Sequence, residues 1–250
     1  MASIKAGVIG LGFIGPAHVE ALRRLGDVEV IAVAGARLGT AKAKATKLGI
    51  PRAYGNWRDL VADPDVQVVH NCTPNFLHYQ INMAVISAGK AIVSEKPLAM
   101  DASQAAKLLQ AAQEAGIIHA VCFHNRMYPL TQEMKARVAR GDIGAVRLVH
   151  GTYLQDWLLY DTNYNWRIDP ALGGLARTMG DIGSHWCDLA QFVSGLKITE
   201  VYADLVTFLP TRRKPKVHVD AFAGVGLQPE DFDEVEVTTE DCGLILLRFE

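Results

Sequence analysis

Paired cysteines, metal-spaced histidines, long apolar runs and an excess of either charge are all missing from this 250-residue chain. Cys72, Cys122, Cys187 and Cys242 lie far apart and form no C-x-x-C pair. That argues against a disulfide framework or a zinc knuckle and reads the four as reduced thiols, mostly small core residues. The eight histidines show neither H-x-x-H nor H-E-x-x-H spacing, so no metal site is expected. No apolar stretch reaches the ~18 residues that a membrane span needs. The start, MASIKAGVIG, has no basic segment followed by a long apolar run, so a secretory signal is not expected and a cytoplasmic location is. The net charge of −2, without a basic or acidic tail, gives no electrostatic reason to expect nucleic acid or an anionic membrane as partner. Internal repeats and low-complexity tracts are absent as well.

What is present is alternation. Short apolar runs at 4–9, 28–34, 66–72, 91–93 and 117–123 are separated by helix-like segments near 16–26, 39–48, 76–89 and 101–115. Strands apolar on both faces and spaced by helices predict a parallel sheet covered on both sides, a doubly wound α/β domain over 1–123. The pattern then changes. Residues 130–141 read as a helix, AVRLVHGTYLQD at 145–156 as a long alternating strand, and 181–193 as a further helix. TEVYADLVTF, EVEVTT and GLILLRF follow as strands, with 209–234 read as a long loop. This predicts an α+β domain over 124–250 with a mostly antiparallel open sheet. The chain stops directly after a strand-like run, so that sheet is expected to be incomplete.

GVIGLGFIGPAH follows the first strand and opens the first helix. Gly10, Gly12 and Gly15 make G-x-G-x-x-G: a tight turn, room for backbone beside a pyrophosphate, and close packing of helix on strand. The context is the required one, so Gly10, Gly12, Phe13, Ile14 and Gly15 are expected to bind a dinucleotide through helix N-terminal N–H groups. The acidic residue that usually holds the adenosine ribose at the end of the second strand is missing; Gly35, Ala36 and Arg37 stand there. Room for a 2′-phosphate and a guanidinium to pair with it favour NADP over NAD, unless Arg37 is a solvated loop charge.

Ligands of open α/β sheets collect beyond the carboxyl ends of the strands. Thr73, Pro74 and Asn75 end one strand and Glu95, Lys96 and Pro97 another, which puts two charges at the ligand face. Asp181 and His185 are four apart and share a helix face. An imidazole suits proton transfer near neutral pH. The plainer alternative makes Asp181 a helix N-cap and His185 a packed ring.

The glycine loop, EKPLAM at 95–100 and GDIGSHWCDL at 180–189 together resemble the Gfo/Idh/MocA oxidoreductases, the glucose–fructose oxidoreductase and inositol dehydrogenase family. CTPNFLH at 72–78 is similar to its Thr-Pro-x-x-x-His strand end, and GTYLQDW with NWR is similar to a sugar dehydrogenase branch. The resemblance implies that Lys96 and His185 touch a reacting hydroxyl, with His185 as acid/base and Asp181 in support. It implies Thr73, Pro74, Asn75, His78, Glu95, Lys96 and Asn125 on the cofactor side, with His78 as support rather than acid or base and Glu95 either positioning the lysine or touching the cofactor. It also implies a homodimer or homotetramer.

Aromatic residues crowd 153–166 among amides and charges, a composition suited to sugar C–H faces and hydroxyls. Tyr153, Trp166 and Arg167 are therefore expected at the substrate with Lys96, Asp181 and His185, and so is Arg126, which follows the last strand of the first domain near the nicotinamide end. His18 reads as a helix-packing or phosphate-proximal residue. The expected activity is hydride transfer between a secondary alcohol of a sugar, inositol or related polyol and nicotinamide. An NAD-dependent glycosidase and a non-catalytic nucleotide- or sugar-sensing regulator are the alternatives.

Overall fold

The structure is a computed structural model and describes residues 3–217 and 228–250. The described residues up to Cys122 form one compact unit and those from Phe123 a second.

The first unit is a six-stranded parallel sheet. Its strands are β1 (Ile4–Ile9), β2 (Val28–Ala34), β3 (Arg52–Tyr54), β4 (Val68–Asn71), β5 (Ala91–Ser94) and β6 (His119–Val121). They run in the order β3-β2-β1-β4-β5-β6. The order reverses beside β1, so the loops after β1 and β4 diverge and leave room at the carboxyl edge. Helices α1 (Ile14–Leu25), α2 (Leu38–Leu48), α3 (Trp57–Ala62), α4 (Asn75–Ser87) and α5 (Ala102–Ala115) make the crossovers. Continuous apolar strands need cover on both faces, and two buried clusters supply it. One gathers Ile31, Leu60, Val69, Ile81, Val85 and Ile92; the other Val8, Val19, Leu22, Val30 and Val33.

Sequence reading misses β3 and α3, three and six residues long, which are too short to show a period. A polar network fixes them instead. Arg52 donates to both oxygens of Asp63 at 2.9 Å and to Asp65 at 2.6 Å, and Tyr54 donates to Asp63 at 2.9 Å.

The second unit holds α6 (Pro129–Arg140), α7 (Pro170–Gly173), α8 (Ser184–Ser194), and strands β7 (Ile198–Val206), β8 (Thr211–Pro215), β9 (Phe232–Glu236) and β10 (Cys242–Phe249). Among the described residues β7 pairs antiparallel with β10, and β8 with β9. The expected antiparallel character is therefore present as two small sheets. Two details differ from expectation. Residues 145–156 form no strand: the alternation is there, but no neighbouring strand among the described residues makes a ladder with them, and propensity alone does not. Residues 211–215, read as loop because of their charges and Pro215, are strand β8, held by pairing with β9. Part of that expected loop, 218–227, lies outside the described residues.

The interior of this unit is largely polar. Arg212, fully buried, donates to Asp241 at 2.7 Å and to the Tyr160 carbonyl at 2.9 Å. Arg177 is paired with the same carboxylate and donates to the Glu240 carbonyl at 3.0 Å. Desolvation favours a neutral Asp241, but backbone N–H groups and the two guanidinium groups outweigh it and hold the acid below the ordinary carboxylate range. No helix among the described residues is long and apolar enough to cross a membrane.

Candidate active site

The glycine loop turns between β1 and α1. Gly10 has φ +93°, and a Cβ there would stand 2.5 Å from the Cys72 carbonyl oxygen. A Cβ on Gly15 would stand 2.1 Å from the Gly10 carbonyl oxygen, so the helix start lies directly on the loop. Around Gly12 a Cβ would meet nothing within 4 Å. No side-chain cap closes the N-terminus of α1. The loop is pinned from α2, where Lys44 donates to the Leu11 carbonyl at 2.6 Å. Bare backbone with an uncapped helix start fits a pyrophosphate. Phe13 is exposed, Ile14 is the first residue of α1, and Arg37 is exposed at the start of α2.

The ends of β4 and β5 are locked together beneath this face. Asn71 donates to Asn82 at 2.8 Å, and Asn82 donates to Ser94 at 2.9 Å. Thr73 donates its hydroxyl to Asn71 at 2.7 Å, Pro74 precedes α4, and Asn75 is its buried first residue. His78 has no exposed surface. Its ring lies between the Pro97 carbonyl, 2.7 Å from Nδ1, and the Thr73 carbonyl, 2.8 Å from Nε2. Burial leads in pulling its pKa below the ordinary value, although both carbonyls favour the charged ring. A neutral His78 donates to one of the two at a time. The buried ring staples the two loops from within, a supporting position rather than that of an acid or base. The Lys96–Pro97 peptide is cis.

Glu95 is also turned inward. Its Oε1 is 2.9 Å from His18 Nε2, and its Oε2 accepts from the Lys96 backbone N–H at 3.2 Å. His18 Nδ1 is in turn 2.9 Å from His70 Nδ1. Burial works to raise the Glu95 pKa, but His18, the Cys122 thiol and Lys96 prevail and hold it below the ordinary carboxylate range. Burial and the nearby carboxylate push the Cys122 thiol up to about 12. Burial, and after it the neighbouring His18, pushes His70 down to about 4. The donor atoms of His18, Glu95 and Cys122 lie within 4.8 Å of one another, close enough to share a metal ion. The linear spacing of the histidines gave no sign of this group. The usable signal is topological: Glu95 and Cys122 directly follow β5 and β6, and His70 lies near the carboxyl end of the adjacent β4.

In the second unit, a single π-helical turn, Met179–Gly183, runs into α8 and carries Asp181 one turn before His185. Asp181 is not the helix cap of the plainer alternative; it accepts from Arg167 Nε at 3.1 Å. Arg167 also donates to Asn165 at 3.2 Å, and its guanidinium lies 4.5 Å from the Trp166 ring centre. Two expected substrate residues are thereby joined to Asp181, the expected support of His185. His185 is buried among the rings of Phe123, His124 and Tyr153, with centroids 5.6, 5.2 and 6.1 Å away. Asn125 is buried in the short turn His124–Met127. Arg126, expected at the substrate, grips Asp188 with two donors, one at 2.8 Å, and stacks over Phe192.

Residues 4–123 match the family described as "Oxidoreductase family, NAD-binding Rossmann fold", and residues 131–250 match "GFO/IDH/MocA C-terminal domain". A levoglucosan dehydrogenase from Pseudarthrobacter phenanthrenivorans is 33% identical over 100% of this chain and 65% of its own. A solved NAD-binding oxidoreductase from Klebsiella pneumoniae is 37% identical, with a TM-score of 0.87 over 100% of this chain and 64% of its own. A levoglucosan dehydrogenase solved with NADH and levoglucosan is 29% identical, with a TM-score of 0.88 over 99% of this chain and 64% of its own. The chain thus spans less than two thirds of the length of these relatives. On the two matched halves, the glycine cradle and the Glu-Lys-Pro strand end, this chain belongs to the Gfo/Idh/MocA oxidoreductase family.

Proposed function

We propose that the protein is an NAD(P)-dependent dehydrogenase acting on a secondary alcohol of a sugar or related polyol. The observation that carries this reading is the placement, at one edge of one sheet, of the glycine cradle and Lys96. The relatives named for levoglucosan support a sugar as the substrate class. Nicotinamide, when bound, supplies the hydride acceptor.

This chain's residues supply the rest. Gly10, Gly12 and Gly15 admit the pyrophosphate to bare backbone, while Thr73, Pro74 and Asn75 border it. Lys96 holds the substrate hydroxyl and stabilises negative charge on that oxygen. His185 takes the proton, and Asp181, oriented by Arg167, supports it. Trp166, Arg167 and Tyr153 bind the sugar. Arg126, oriented by Asp188, stands beside them. Gly35 and the exposed Arg37 favour NADP, while the relative solved with NADH favours NAD, so the choice rests on Arg37. Arg37→Asp is expected to shift preference from NADP toward NAD; unchanged affinity for both makes Arg37 a surface charge.

The test of the function is a panel of sugars, cyclitols and anhydro-sugars offered with NAD or NADP. Formation of reduced nicotinamide with at least one polyol is expected. Release of sugar from an aryl glycoside without net reduction would contradict a dehydrogenase, and nucleotide binding with neither activity would leave a sensor.

A further inference from the structure

We infer that His70, His18 and Glu95 form a buried hydrogen-bonded relay that positions Lys96, and that His18 is its essential link. The inference rests on the proposed role of Lys96. Counting protons identifies the donor to Glu95. Glu95 is ionised and can only accept, so the 2.9 Å contact requires a proton on His18 Nε2. The 2.9 Å contact between the two Nδ1 atoms requires one proton between them. That proton sits on either Nδ1, and in both arrangements His18 donates to Glu95 through Nε2. The other Glu95 oxygen accepts from the Lys96 N–H, and the Cys122 thiol adds a further donor to the carboxylate. The titratable groups facing the relay are His70 on β4, Cys72 after it, Glu95 and Lys96 after β5, and Cys122 after β6.

The geometry has a consequence for Lys96. Its backbone is tied to a carboxylate that cannot turn away without breaking the His18 bond, and both side chains are nearly buried, at 9% and 11% exposure. A buried carboxylate stripped of that donor either takes a proton, which weakens its hold on the Lys96 peptide, or moves toward water, which releases it. His18 sits on α1, the helix that begins at the glycine loop, so the relay also ties the nucleotide-binding helix to the strand end that carries the lysine.

The test compares His18→Phe, which removes both ring nitrogens, with His18→Gln, whose amide nitrogen can replace Nε2, and with Glu95→Gln, which keeps the shape. Misplacing a reacting group costs about 10²-fold. The expected result is a loss of kcat of that order in His18→Phe and Glu95→Gln, little change in KM or nucleotide affinity, and recovery of most of kcat in His18→Gln. Wild-type kcat in folded His18→Phe, or a Gln variant no better than Phe, overturns the relay. Should His18→Phe not fold, Glu95→Gln decides by the same readout. If the wild-type chain turns over no polyol, the proposed function fails and the relay is read by ¹⁵N-histidine NMR. A proton on His18 Nε2, whose signal moves in Glu95→Gln while that of His78 does not, supports it; an unprotonated His18 Nε2 overturns it.

Discussion

A lysine at a strand end is ordinary, but a lysine whose preceding glutamate faces the interior is not. Glu95 keeps its charge in a buried place because His18, Cys122 and the Lys96 N–H all donate to it. That arrangement makes stability depend on pH. The folded pKa of His70, about 4, lies below its ordinary 6.5. Between these values the unfolded chain binds the extra proton, so stability is full above about 6.5 and falls as the pH drops toward 4, by on the order of 3 kcal/mol. Glu95, held below its ordinary range, loses its stabilisation at still lower pH, in the same direction. Urea midpoints measured across this range should fall with acidity, and His70→Gln should flatten the part between 6.5 and 4. On the second unit, Asp181→Asn is expected to lower kcat more than it raises KM, because it disturbs the residue supporting His185 while Arg167 still meets the sugar. Steady-state kinetics with the best polyol separate these effects.

At the scale of elements, what was legible depended on length and period. The long strands and helices of the first domain were readable because a parallel sheet buries both faces of each strand, and that leaves unbroken apolar runs. Strand β3 and helix α3 were not, since an ion-pair network rather than an apolar pattern defines them. The alternation of 145–156 misled for the opposite reason: a strand needs a neighbour, and sequence carries no record of one. The glycine loop was fully legible, because a Cβ at Gly10 or Gly15 would collide with backbone. Gly15→Ala is accordingly expected to abolish measurable nucleotide binding in a titration of intrinsic fluorescence. His78 was legible as a motif member but not as a staple between Thr73 and Pro97. His78→Leu removes the one ring donor these two carbonyls share and is expected to cost about 1–3 kcal/mol in denaturant unfolding.

At the scale of the whole molecule, the chain carries two units of different construction. One is a layered apolar sandwich, and the other is two small sheets around buried guanidinium and carboxylate groups. Sequence placed Lys96 at a strand end in the first and Asp181 with His185 on a helix start in the second. The Arg167–Asp181 pair, 14 residues apart in sequence, was visible as two separate expectations and became one feature only in the fold. The buried His18–Glu95 pair had no sequence signal beyond the strand ends that converge on it. The central claim is that Lys96 serves hydride transfer from a polyol, and the most direct measurement compares turnover and nucleotide affinity in the wild type and Lys96→Ala. With the polyol that best reduces nicotinamide, the account predicts a fall in kcat of roughly 10²- to 10⁴-fold with nucleotide affinity nearly unchanged. A Lys96→Ala protein that turns over at the wild-type rate would contradict it.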